Sequence, residues 1–79
     1  MIMNKLYRIC IAIRVWNAKK KDYDWNTSYY KDYSPNEIDL TPNKSEAQKF
    51  DKVNAERILK REKKYDKSEG VSYWIEEIE

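Results

Sequence analysis

Apolar side chains alternate most cleanly over residues 5–16, where Tyr7, Ile9, Ile11, Ile13 and Val15 share one face of a period-2 strand. The opposite face, Leu6, Arg8, Cys10, Ala12, Arg14 and Trp16, is mixed rather than polar. One fully apolar face and one half-apolar face predict a strand at the centre of its sheet. Residues 17–22, Asn-Ala-Lys-Lys-Lys-Asp, read as a hairpin loop that lacks the glycine of tight turns. The returning strand is expected within residues 23–33. There Trp25, Thr27, Tyr29, Lys31 and Tyr33 alternate with Asn26, Ser28, Tyr30 and Asp32, and two partly polar faces predict a sheet edge.

Ser34-Pro35-Asn36 and Thr41-Pro42-Asn43 are turn signals around a brief extended piece carrying Ile38 and Leu40. A helix follows, with two candidate starts. Asn43 stands three residues before Glu46, as a capping box requires, but a helix from there spreads its apolar residues over most of its circumference. With Asp51 as N-cap and Phe50 stapled onto Ala55, the residues Ala55, Ile58, Leu59, Glu62 and Tyr65 gather into a narrower stripe, and this start is preferred. Gly70 marks the exit, and residues 71–79 form a last strand with Val71, Tyr73 and Ile75 on one side and Ser72, Trp74, Glu76 and Ile78 on the other.

The expected fold is α+β, ββαβ, with a three-stranded sheet in the order 2-1-3 and one main helix packed on one face. Such a layout leaves the second sheet face uncovered. That face would carry Arg8, Cys10, Ala12, Arg14, Trp16, Trp74, Glu76 and Ile78, a mixture of Trp, Arg and Ile unusual for a solvated surface.

Composition narrows the chemistry. The 79 residues make one domain, 1–79, and 41% hydrophobic against 38% charged content fits a folded chain outside the membrane. There is no histidine, one cysteine and one glycine, which excludes a histidine-based triad, a His-ligated or four-cysteine metal site, a disulfide framework and a glycine-rich phosphate loop. No cofactor, metal or small-molecule substrate is therefore expected, and no enzymatic activity. The apolar run 9–13 is too short for a signal-peptide core or a membrane span, and the lone Cys10 suits a reducing cytoplasm.

The net charge of +2 is nearly neutral, but it is unevenly spread. Residues 52–67 hold seven basic groups against three acidic ones, while residues 69–79 hold four glutamates and no base. The plainest expectation is that these two blocks attract each other in the fold.

Two binding surfaces emerge. The first joins Arg8, Arg14, Trp16 and Trp74 of the uncovered face to Tyr23, Tyr30 and Tyr33, exposed members of a Tyr-rich segment in which Trp25 and Tyr29 serve the core. Its partner would be a protein, either a host factor or a second copy of the chain. The second is the basic helix flank Arg57, Lys60, Arg61 and Lys64, the alternative reading, which would neutralise nucleic-acid phosphates while the tyrosines stack on bases. Arg8 and Arg14 are also placed to pair with Glu76 across strands. On this layout Ile11→Ala is costly to folding, whereas Tyr30→Ala is nearly neutral.

The step Ser45-Glu46-Ala47-Gln48-Lys49-Phe50-Asp51 into a helix carrying Ala55 and Ile58, between an aromatic-rich opening strand and a closing Tyr-Trp-Ile strand, resembles small phage and prophage proteins of AT-rich bacteria. The Lys, Asn, Tyr and Ile bias agrees. The resemblance implies a phage accessory protein of the kind that binds and inhibits a host protein, anti-defence inhibitors included. It carries over no functional residue.

Overall fold

In the computed structural model, which describes residues 5–34, 37–66 and 68–78, the chain is an α+β domain: one helix on an antiparallel sheet. The elements run β1 (Leu6–Asn17), β2 (Asp22–Ser34), β3 (Glu37–Thr41), a 3-10 turn at Lys44–Glu46, β4 (Phe50–Asp51), α1 (Lys52–Tyr65) and β5 (Val71–Ile78). The alternating strand β1 is the hub. It pairs with β2 from Cys10↔Tyr29 to Asn17↔Asp22, and along its other edge with β5 from Leu6↔Ile78 to Ile13↔Val71.

Five strands replace the expected three. The reason lies in β2, which runs on past its last partner in β1 and leaves the backbone groups of residues 30–34 to be satisfied elsewhere. Residues 37–41 return along its outer edge as β3, from Ser34↔Glu37 to Tyr29↔Thr41, with a register shift between Tyr30 and Asp32. On the inner side Gln48 donates its backbone N–H to the Tyr30 carbonyl at 2.8 Å and accepts the Tyr33 N–H on its side chain at 2.9 Å. The two residues of β4 then pair with the start of β1, Tyr7↔Phe50 and Leu6↔Asp51. Among the described residues, β2 keeps a free edge only over residues 22–28. Pro35 and Asn36, central to one turn signal, lie outside the described residues.

The helix begins at Lys52. Asp51 caps it, accepting the Asn54 N–H at 2.8 Å, and Phe50 and Ala55 meet in the core as the staple requires. Asn43 and Glu46 still find each other, but on the 3-10 turn, where Glu46 also takes the Thr41 hydroxyl at 2.8 Å. Ala55 and Ile58 are buried, while Tyr65, assigned to the same stripe, lies 72% exposed in the last turn. At the exit Gly70 has φ +76, and a Cβ there would stand 3.1 Å from Arg14 Cβ, so glycine answers both the turn and the close approach.

Two hydrophobic layers result. On the helix side Ile9, Ile11, Tyr30, Phe50, Ala55 and Ile58 are buried together, with Val71, Tyr73 and Ile75 packed against them. On the other side Cys10, Tyr29 and Ala47 form a smaller cluster against Trp74. The second face is therefore not bare, as expected, but half roofed by the chain's own residues 41–47.

Candidate functional site

Length decides what stays open. The fourteen residues of α1 span about 21 Å at 1.5 Å each, whereas the twelve of β1 span about 40 Å. Helix and 3-10 segment both sit toward the start of β1, so the distal β1–β2 hairpin, residues 13–26, projects beyond either cover. Burial records the boundary: Ile9 and Ile11 are buried, while on the same face Ile13 and Val15 are 39% and 43% exposed.

The hairpin turn is built without glycine. The Asn17 side-chain carbonyl accepts the Lys19 N–H at 3.0 Å, its amide donates to Asp24 at 2.8 Å, and Lys21 takes the left-handed conformation at φ 55. Lys20 pairs with Asp24 at 3.1 Å. The Asn17 amide and then Lys20 hold the Asp24 carboxyl below its ordinary range.

Cross-strand register gathers an aromatic platform on the face away from the helix. Arg14 stands opposite Trp25, and Trp16 opposite Tyr23. The Trp16 and Tyr23 rings meet edge to face at 5.1 Å, and the Arg14 guanidinium lies 4.2 Å from the Tyr23 ring centroid. Arg14 is held from its other side too, because its N–H donates to the Gly70 carbonyl at 2.7 Å. Trp16, Tyr23 and Trp25 remain 54%, 47% and 54% exposed. Contiguous exposed aromatics around a fixed cation are what a recognition surface requires.

The remaining expected contact residues part company. Arg8 is half-buried, paired with Glu76 and set over the Tyr29 ring at 6.0 Å. Glu76, whose carboxyl the Arg8 hydrogen bond holds below its ordinary range, also meets Lys44 at 3.6 Å. Arg14 does not pair with Glu76, since the register of β5 sets Glu76 opposite Arg8 and leaves Arg14 beside Gly70. Trp74 is half-buried against the Cys10 cluster. Burial, with the nearby Glu76 charge, pushes the Cys10 thiol up to about 11. Tyr30, expected to be exposed, is 1% exposed, because its side chain falls on the helix side. Trp25, assigned to the core, is instead exposed. Tyr33 is half-buried on the helix side, stacked near Tyr30 at 6.2 Å, with its hydroxyl accepting from Arg61 at 3.2 Å. The single tyrosine-rich surface expected from sequence is thus split between two faces.

Arg57, Lys60, Arg61 and Lys64 line the exposed side of α1. Among the described residues the expected neutralisation of this block by the acidic last strand is not seen. Glu76 and Glu77 pair with Arg8, Lys44 and Lys5, and among the described residues no carboxylate lies within ion-pairing distance of the helix cations. Among the described residues no trio of metal-ligating side chains comes together, and no helix is long and apolar enough to cross a membrane. Compared with known proteins, the chain matches no family model, no curated protein and no solved structure.

Proposed function

We propose that the chain is a non-enzymatic binding module that takes a protein partner on the aromatic hairpin arm. In keeping with the resemblance to phage accessory proteins, the partner is a host factor met in the cytoplasm, and binding inhibits it. The observation that carries this reading is the fixed Arg14 stack beside Trp16, Tyr23 and Trp25, three large rings about half exposed at the end of a projecting hairpin. Tyr and Trp supply contact area at little entropic cost, and Arg adds a charge that survives desolvation by stacking. Arg8 and Trp74 stay with the Cys10 cluster on the same sheet face, outside the arm, and Tyr30 leaves the surface for the core.

The test pairs capture with a fold control. The Trp16→Ala/Trp25→Ala double variant removes side chains that pack on no buried cluster, so it is expected to unfold at the wild-type midpoint. Wild type immobilised in a bacterial lysate is expected to retain a protein that the double variant loses. Retention by both would end the assignment to the arm. Light scattering covers self-association: a particle of two chains for wild type and one for the variant would make the partner a second copy.

A further inference from the structure

A groove of about 410 Å³ runs between α1 and the junction of β2 with β4, on the face opposite the aromatic arm. Phe50 and Ile58 form its apolar floor, and Tyr33, Gln48 and Asn54 its wall. Arg57 and Arg61 stand along the rim one helical turn apart. From there the surface continues into a shallower depression lined by Lys60, Lys64 and Tyr65.

Three features limit what this groove would bind. The first is charge: four cations lie within about 10.5 Å of helix axis, and no described carboxylate pairs with any of them. An anion, and one of several charges, is the complement. The second is geometry. The Tyr33 hydroxyl holds the Arg61 guanidinium at 3.2 Å, presenting a planar fork of the sort that matches phosphate oxygens. The third is the pocket itself. Gln48 spends its carbonyl on the Tyr33 N–H and keeps its amide donors, while Asn54 spends its amide on Asp51 at 3.0 Å and keeps its carbonyl. One donor and one acceptor beside an aromatic ring and an apolar floor suit the edge and face of a nucleobase. A carboxylate-rich peptide would satisfy the cations but not this wall.

We propose that the groove binds single-stranded nucleic acid, one base entering the Tyr33–Phe50–Ile58 pocket while phosphates lie on Arg57 and Arg61 and continue toward Lys60 and Lys64. The site shares no residue with the aromatic arm, so either assignment stands or falls without the other.

Fluorescence anisotropy of the full chain with labelled single-stranded oligo-dT and oligo-U, at about 50 and about 200 mM salt, tests it. Four phosphate contacts at about 0.7 counterions each predict roughly fifty-fold weaker binding at the higher salt. Arg57→Ala/Arg61→Ala, at two exposed positions, is expected to retain the fold and cut that factor to roughly sevenfold, with weaker binding at both salts. Tyr33→Leu keeps apolar packing but removes the ring. It should lower affinity about 5- to 150-fold at unchanged salt dependence, the signature of a lost base contact rather than a lost phosphate contact. No binding at low salt, or a double variant that binds like wild type, would overturn the site. A Glu-rich peptide of equal charge binding as tightly would transfer the groove to an acidic protein segment and overturn the nucleic-acid assignment.

Discussion

Tyr30 and Trp25 exchange the roles that composition suggests for them. Both belong to the same aromatic run, yet Tyr30 is 1% exposed and Trp25 54%. Parity along β2 decides the face, but only the register to β1 says which parity faces the helix. The energetic consequence is direct. Tyr30→Ala should cost about 3–5 kcal/mol, comparable to the loss of any large buried ring, with Ile11→Ala at about 2–5 kcal/mol. Trp25→Ala should stay within about 0.5 kcal/mol of wild type. Urea denaturation of the three variants checks this. A neutral Tyr30→Ala would put the core on the wrong face.

The elements owe much to local signals that composition hides. Asp51 starts α1 because its carboxylate satisfies an orphan N–H and the apolar stripe begins just beyond it. At the other end Asp66 accepts the Ser68 N–H at 2.9 Å and the Tyr73 hydroxyl at 2.6 Å, tying the helix exit to β5. These bonds from Ser68 and then Tyr73 hold the Asp66 carboxyl down from 3.8 to about 2. A carboxyl with a lowered folded-state value stabilises above its unfolded value and loses that contribution as pH falls through the folded one. Stability should therefore be flat with respect to Asp66 at neutral pH and decline between 3.8 and about 2. Denaturant titrations of Asp66→Asn should show a shallower decline across that window. An identical slope would mean the contact does not persist in solution.

At the scale of the molecule the dominant feature is a mismatch of lengths. The domain measures 52 × 26 × 18 Å, and its covering layers occupy only part of the long axis. Backbone amides under α1, at Ile9 and Ile11, should exchange at the rate set by global unfolding. Amides bonded within the distal hairpin, such as those of the facing pair Val15 and Asp24, should exchange faster through local opening. Native-state hydrogen exchange read by NMR distinguishes the two sets. Uniform protection would mean that the arm is covered in solution, by a second copy or by a rearranged loop.

Much of this was legible in the residues alone. Alternation over residues 5–16 defined the hub strand, the Asp51 cap placed the helix, and Gly70 marked its exit, because each depends on periodicity or on backbone chemistry within a few positions. Part of the site was legible too, since Arg14, Trp16 and Tyr23 read as surface residues from sequence, but the register that puts Trp25 opposite Arg14 came only with the fold. Other features arose only from packing. Residues 37–41 became a strand because β2 outran its neighbour, residues 41–47 roofed Cys10 because the chain had to cross the sheet to reach the helix, and among the described residues the basic face of α1 stayed unpaired because Glu76 and Glu77 of β5 went to Arg8, Lys44 and Lys5. Local sequence determines which segments are stable as strands or helix. Which surface each one buries, and which charge finds which partner, is settled by contacts between residues far apart in the chain.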